Sequence, residues 1–153
     1  MTIPNPVAAV VALLRATPDV ADAVGSVTLY EESVPFIIGG RLRDDMISLM
    51  PRRCIVVREA GSIRRAMSTP LQTASVDIFC YGQDPDDDYD ASELGYAVHG
   101  RLQSMSPARV NNAAILSATL VGGPTPGEEP EVGWMFSLRT YNVLISEVEQ
   151  LEE

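Results

Sequence analysis

The chain has 153 residues, which is enough for one domain of ordinary size and too few for two. Its hydrophobic fraction of 46% and charged fraction of 21% are typical of a globular protein and exclude a largely disordered chain. The formal net charge is −10 at pH 7, and every basic residue is an arginine. A domain this acidic would repel nucleic acid unless its arginines were gathered on one face.

The longest apolar run, Pro6 to Leu14, is far too short to span a bilayer, and no basic residue precedes it as in a signal peptide. We therefore expect a soluble protein made in a cytoplasm, with no membrane partner. Two cysteines, Cys54 and Cys80, do not make a disulfide framework in a chain of this length. Each alternates with apolar residues, so both are interpreted as small buried side chains, and a reducing cytoplasm disfavours a bond between them.

Two helices are predicted at the start of the chain. Asn5 is a good N-cap and Pro6 suits the first helical position, so a helix begins there. Its apolar stripe has helical spacing and consists of Val7, Val10, Val11 and Leu14. The cap sequence over 17–19 starts a second, short helix that Gly25 ends.

The remaining elements are mostly strands. They are predicted over Val27–Tyr30, Arg53–Glu59, Ala74–Tyr81, Ala113–Val121 and Trp134–Ile145. An acidic run enters the main helix, where Asp90 and Glu93 have capping-box spacing, and Pro107 ends this helix. The order of elements predicts a single α+β domain over 1–153, with a mostly antiparallel, mixed sheet and helices packed on it.

Three stretches are predicted to be flexible arms, and the chain ends in an acidic tail. The arms cover about 31–50, 61–73 and 122–133, and the tail covers 147–153. The third arm is too rich in glycine and proline to be regular. Connections of this length in a compact domain often face a partner.

Few residues suggest catalysis or ligand binding. His99, the one histidine, points away from the apolar stripe of its helix and is interpreted as a solvated residue. The acidic run Asp84 to Asp90 fails the EF-hand spacing in both registers, so it is interpreted as an acidic helix entry, with a loose divalent-ion site in an oligomer as the minor alternative. Neither glycine pair, 39–40 or 122–123, has phosphate-loop spacing. We therefore assign no catalytic residue, no metal site and no cofactor.

Five residues are candidates for a subunit interface. Arg52, Arg53 and Arg58 surround a strand and either pair with carboxylates of another subunit or are ordinary surface arginines. Phe79 and Tyr81 lie on the second face of a strand that is apolar on both faces. Such a strand is interior or is covered by a neighbouring subunit.

Several segments, in order over nearly the whole chain, carry a family resemblance. The most specific is MPRRCIVVREAG at 50–61, and the others are PNPVAAVVALLRATPDVADAV, ASVDIFCYG, ELGYAVHGRL and a Gly-Gly-Pro loop before GWMFSLRTYNVLI. Together they resemble the tail terminator (tail completion) proteins of long-tailed bacteriophages, especially those of actinobacterial hosts.

This resemblance implies a structural subunit without catalytic residues. The implied assembly is a homo-hexameric ring at the head-proximal end of the tail tube, which ends tube polymerisation and docks the tail to the head. The implied partners are the chain itself, the major tail tube protein and the head–tail connector protein, with DNA passing through the lumen without specific binding. The implied location is the virion, after assembly in the host cytoplasm.

Other classes of function stay open at this point. One alternative is another neck protein, such as a head-completion or connector-docking subunit. A second is a small-ligand-binding or enzymatic α+β domain, which would need a pocket with convergent polar groups. A third is a generic interaction module of a bacterial chromosome.

Overall fold

The computed structural model describes residues 5–29, 32–40, 53–60, 64–65, 71–82, 89–103, 107–110, 113–129 and 133–147. Within these residues the helices are α1 (Pro6–Arg15), α2 (Pro18–Val24) and α3 (Tyr89–Gln103). The strands are β1 (Ser26–Leu29), β2 (Glu32–Pro35), β3 (Ile37–Gly39), β4 (Cys54–Glu59), β5 (Arg64–Arg65), β6 (Leu71–Tyr81), β7 (Ala108–Val110), β8 (Ala113–Glu128) and β9 (Met135–Glu147).

One mixed sheet organises the fold. Its strand order is β3-β4-β6-β9-β8-β7, and the short β5 pairs with the start of β6. The β3–β4 pairing is parallel, whereas the other pairings among the described strands of this sheet are antiparallel. A separate antiparallel pair joins β1 and β2. The predicted α+β class with a mostly antiparallel, mixed sheet is therefore confirmed.

The start of α1 follows the predicted capping. The side chain of Asn5 accepts hydrogen bonds from the backbone N–H groups of Val7 at 3.0 Å and Ala8 at 3.2 Å. Pro6 occupies the first helical position. The N–H group at this position has no partner inside a helix, so its absence in proline costs no hydrogen bond. The first helix is thus fixed by local sequence.

The start of α2 is held differently. Thr17 occupies the N-cap position, but its hydroxyl donates to the carbonyl of Leu13 at 2.8 Å and does not cap α2. The same oxygen accepts from Nε of Arg101 on α3 at 3.2 Å. Thr17 therefore links three helices, and Gly25, at φ +80°, ends α2 as predicted.

The helices pack on one face of the sheet and enclose the main hydrophobic core. Val10 and Leu14 of α1 and Leu94 and Val98 of α3 are fully buried there. The sheet contributes alternate residues of its central strands, including Ile55, Val57, Val76, Ile78, Tyr141, Val143 and Ile145. Burying this apolar surface supplies the main favourable term for folding.

Strand β6 is interior, as predicted from its apolar residues on both faces. It lies between β4 and β9 in the sheet. Val76 and Ile78 face the main core, whereas Phe79 and Tyr81 belong to a second cluster on the opposite face. The sheet therefore has a helix-covered face and a face that no helix of the described residues covers, which we call the open sheet face.

The prediction of an irregular loop over 122–133 is wrong for residues 122–128. Strand β8 continues through Glu128 and pairs with β9 to the ends of both strands. Register shifts on either side of Gly122 absorb the glycine and proline residues, and regular pairing resumes at Thr125 opposite Leu138. Beyond Ile115 the outer edge of β8 has no partner among the described strands, so prolines fit there without losing sheet hydrogen bonds.

Other predicted boundaries also change. The arm over 31–50 contains β2 and β3, and the arm over 61–73 contains β5 and the start of β6. Residues 31, 41–50, 61–63 and 66–70 of these arms, and 148–153 of the tail, lie outside the described residues. The predicted capping box is wrong, because α3 already begins at Tyr89 and Asp90 lies inside its first turn. The acidic run over 84–88 also lies outside the described residues.

Candidate subunit interface

An aromatic cluster occupies one end of the open sheet face. Its buried members come from β4 and β6 and from the residue before β9, and partly buried residues surround them. The buried members are Cys54, Val56, Phe79, Tyr81 and Trp134, and the surrounding residues are Phe36, Ile38, Phe136 and Leu138. These side chains meet because β4, β6 and β9 are neighbours in the sheet and place alternate residues on this face.

The rings pack mostly edge to face. Phe79 and Phe136 have centroids 5.3 Å apart and an interplanar angle of 75°. Tyr81 makes similar contacts with Trp134 at 6.2 Å and with Phe136 at 5.8 Å. Such arrangements place the positive edge of one ring against the negative face of another, which stabilises the cluster beyond its buried area.

Tyr81 also makes a partly buried polar contact. Its hydroxyl donates to Oε1 of Glu129 at 2.6 Å. Burial of the ring, followed by this hydrogen bond to a carboxylate, raises the pKa of Tyr81 well above its ordinary value. The phenol therefore stays protonated and fixes the chain after β8 onto the aromatic cluster.

Arg58 covers the edge of the same cluster. Its guanidinium carbon lies 4.5 Å from the centroid of the Phe79 ring, and its Nε donates to the carbonyl of Gly40 at 2.8 Å. A guanidinium over an aromatic face is attracted by the ring quadrupole. The structure thus brings together three of the five predicted interface residues, Arg58, Phe79 and Tyr81.

The exposure of these three residues differs from the expectation. Tyr81 is fully buried and Phe79 is 9% exposed, because Trp134 and Phe136 of the same chain cover them. Of the two alternatives for this strand, the interior one holds for both rings, and a role of Phe79 and Tyr81 in a subunit interface stays a prediction. Of these three residues, only Arg58 is half-buried rather than buried, so its side chain is the one that a neighbouring subunit can contact.

The other end of the open sheet face is polar. The hydroxyl of Thr140 on β9 donates to Asp77 on β6, and Ser75 donates to Asn142 across the same pair of strands at 2.6 Å. Thr119 of β8 lies opposite Asn142 and is exposed. This end is a hydrogen-bonded surface that no described helix covers.

Arg53 is bonded inside the chain. Its Nε donates to the carbonyl of Ala23 in α2, and its Nη1 pairs with Oδ1 of Asp90 in α3. The carboxylate that pairs with Arg53 among the described residues belongs to the same chain, and a contact of Arg53 with another subunit stays a prediction. Arg52 lies outside the described residues.

A buried arginine that sequence reasoning did not single out lies under α3. Arg139 is 3% exposed and faces the helix-covered side of β9, between Ser137 and Tyr141. The alternation of the closing strand could have identified it, because Arg139 occupies the inward register of Tyr141, Val143 and Ile145. A charged residue that faces the core departs from the usual burial of apolar side chains, and such a residue is normally paired with another polar or charged group.

The prediction that His99 is a solvated helix residue is wrong. Its Nδ1 lies 2.9 Å from the hydroxyl of Tyr141, and the ring is half-buried against β9. Tyr141 is itself buried, which raises its pKa to about 12. The pair joins α3 to the sheet.

Replacing His99 with alanine is expected to cost about 1 kcal/mol of stability, because a partly buried hydrogen bond is lost. Denaturant titration of the purified variant measures this change. A ring subunit should otherwise assemble and function normally with this variant, whereas an enzyme built on His99 would lose its activity with little change in stability.

Both cysteines are buried thiols on opposite faces of the sheet. Cys54 belongs to the aromatic cluster and Cys80 to the main core, so their side chains cannot meet, and both are free. Burial raises the pKa of each thiol to about 12. Neither thiol is poised to react, because the reactive form is the thiolate.

These pKa shifts predict both reactivity and alkaline stability. At pH 8 the thiols of the folded protein should react with a thiol reagent no faster than the protein unfolds locally or globally. In denaturant, both thiols should react at once. The raised folded pKa values also predict that stability falls as pH rises above 9.0, the ordinary thiol value, towards 12. Rapid labelling of either thiol in the folded protein would contradict the burial.

Two further classes of site are not found among the described residues. No group of three or more histidine, cysteine or acidic side chains there could hold a metal ion. No helix in that part of the chain is long and apolar enough to cross a bilayer.

The comparisons with known proteins give no relative to reason from. The chain matches no family model, and no curated protein matches it. Function must therefore be proposed from the sequence features and from the open sheet face.

Proposed function

We propose that the chain is a tail terminator subunit of a long-tailed bacteriophage. It forms a homo-hexameric ring at the head-proximal end of the tail tube, ends tube polymerisation and docks the tail to the head–tail connector. The observation that carries the proposal is the open sheet face, which is bordered by Arg58 and has no helix of the described residues over it. The resemblance of the ordered sequence segments supports the choice of this family.

Both edges of the sheet are poorly suited to pairing with a strand of another subunit. At one edge, β3 has three residues, and Nε of Arg15 already donates to the carbonyl of Ile37 at 2.9 Å. At the other edge, the exposed part of β8 contains Pro124, Pro126 and register shifts. Short strands, prolines and bulges all oppose the addition of another strand. We therefore expect a neighbour to contact the open sheet face rather than an edge of the sheet.

The charge of the chain fits a ring through which DNA passes. Six copies carry six times −10, or −60 formal charges. An acidic lumen repels phosphates and keeps DNA from sticking. Replacing lumen-facing acids with arginine should slow DNA passage during packaging or ejection, and unchanged rates would remove this part of the proposal.

An arginine placed on the open sheet face tests the proposal. Thr119→Arg adds a bulky charge at an exposed position of β8, so we expect rings to disappear in electron micrographs while the melting temperature stays close to that of the wild type. Ala16→Arg is the matched control, because Ala16 is exposed after α1 on the helix-covered side. Rings that persist in Thr119→Arg would show that this face is not the contact.

A further inference from the structure

One carboxylate on the open sheet face has no cation paired with it among the described residues. Asp77 follows Val76 and precedes Ile78, which both face the main core, so its side chain lies on the open sheet face. Oδ1 accepts the hydrogen bond from the hydroxyl of Thr140, and Oδ2 accepts none from the described residues. The side chain is half-buried, so a cation from outside the chain can reach it.

The arginine opposite Asp77 is directed elsewhere. Arg58 is the partner of Asp77 in the pairing of β4 with β6. Its Nε donates to the carbonyl of Gly40, its guanidinium lies over the ring of Phe79, and no described ion pair joins it to Asp77. A half-buried charge is screened by salt less than an exposed one, so Asp77 attracts a further cation.

Arg15 offers a matching cation on the other side of the sheet. It is the last residue of α1, which packs on the helix-covered face, and its side chain is exposed. Nε donates to the carbonyl of Ile37 at 2.9 Å, which orients the guanidinium, and no carboxylate of the described residues pairs with it. Nη1 and Nη2 therefore remain free to donate to a carboxylate. Because the guanidinium is already oriented, binding costs less side-chain entropy.

The surface beside Arg15 is concave. A groove of about 700 Å³ runs between α1, β3 and the end of β4, and Arg15 lines it. The acidic residue that lines the groove, Glu59, lies near the other end of β3, because Arg15 bonds Ile37 at the start of β3 whereas Glu59 follows Val57, the partner of its last residue. Glu59 is therefore not placed to neutralise Arg15.

Other arginines are less suited to contact a neighbour. Arg53 and Arg101 donate to side chains of their own chain, and Arg139 is buried. Arg109 is exposed on β7, but no contact among the described residues orients its guanidinium. Arg15 is the arginine that is exposed, oriented and without a carboxylate in the described part of the chain.

We propose that Asp77 of one copy pairs with Arg15 of the next copy around the ring. The inference rests on the proposed ring, in which each subunit presents two different surfaces to its two neighbours. Asp77 and Arg15 lie on opposite sides of the sheet and carry opposite charges, so one contact can repeat at every junction. The pairing also fixes which side of the neighbour meets the open sheet face.

Two charge reversals test the pairing. Asp77→Arg and Arg15→Glu each bring like charges together, so light scattering of either variant alone should give a dissociation constant at least about tenfold above that of the wild type. In an equimolar mixture the two variants can alternate around the ring, because the introduced charges attract at one junction and the native groups meet at the next. The mixture should therefore regain the mass of the wild type.

The melting temperatures of both variants should stay close to that of the wild type, because neither position is in the core. Arg109→Glu reverses the charge of an exposed arginine outside the contact and should assemble like the wild type. Ala16→Arg adds a positive charge beside Arg15, so it should not oppose the contact.

A double-mutant cycle with milder changes keeps the test independent of how well a reversed charge is tolerated. Asp77→Asn retains an acceptor for Thr140, and Arg15→Gln removes only the charge and the donor fork. Each should raise the dissociation constant about tenfold, and the double variant should raise it no further, because both remove the same interaction.

The outcomes separate this pairing from the ring itself. Single variants that assemble like the wild type, additive effects in the double variant, or a mixture that stays dissociated would each overturn the pairing and leave the ring standing. A wild-type mass that never rises with concentration would instead remove the proposed ring and the pairing with it.

Discussion

Replacing Gly123 with alanine is expected to lower the free energy of unfolding by about 3 kcal/mol or more. Gly123 has φ +89°, a conformation that L side chains rarely adopt. A Cβ at this position would also overlap the backbone carbonyl oxygen of Leu138 on β9. Backbone cannot move aside cheaply, so the β8–β9 pairing must shift. Denaturant titration followed by circular dichroism measures the loss.

Gly100→Ala is the matched control for this prediction. Gly100 lies in α3, and a Cβ there meets nothing within 4 Å. Alanine favours helix over glycine by about 1 kcal/mol, so this variant should be as stable as the wild type or more stable. Equal stabilities for the two variants would contradict the close approach of β8 and β9 at Gly123.

Replacing Arg53 with alanine is expected to lower the free energy of unfolding by about 2 kcal/mol, because hydrogen bonds to a carbonyl and to a carboxylate are lost together. Arg53 joins Ala23 of α2 to Asp90 of α3 from the start of β4. Both Arg53 and Asp90 are mostly buried, so solvent screens their attraction only in part. Thermal and denaturant unfolding measure this effect without reference to assembly.

Two other arginines separate folding from assembly. Arg109→Ala, at an exposed position of β7, should leave stability within about 0.5 kcal/mol of the wild type. Arg58→Ala should weaken ring formation more than folding, because Arg58 borders the open sheet face and is half-buried. If Arg53→Ala were as stable as Arg109→Ala, the link between α2 and α3 would contribute nothing.

Local sequence predicts the elements whose signals are local. The first helix begins where Asn5 and Pro6 place it, because a cap depends on residues within one turn. The extent of β8 could not be predicted in this way. Its glycines and prolines indicate a loop, yet β9 pairs with them through two register shifts on an edge that tolerates proline. Long-range pairing therefore outweighs the local signal.

In the candidate interface, too, local sequence predicts some features, whereas others depend on long-range contacts. The alternation of β6 correctly places Phe79 and Tyr81 on one face, but it cannot show that Trp134 covers them. The partner of Arg53 was equally hidden, because Asp90 is 37 residues away and the two meet only in the folded chain. Arg139 was detectable from the strand pattern, whereas its place beside Gly95 depends on tertiary packing.

The mass of the protein in solution tests the ring most directly. Light scattering over a concentration series, with and without magnesium, should reveal a species of six times 16.5 kDa, or 99 kDa, that grows with concentration. A mass of 16.5 kDa at every concentration, or a closed dimer that never grows, would contradict a self-assembling hexameric ring.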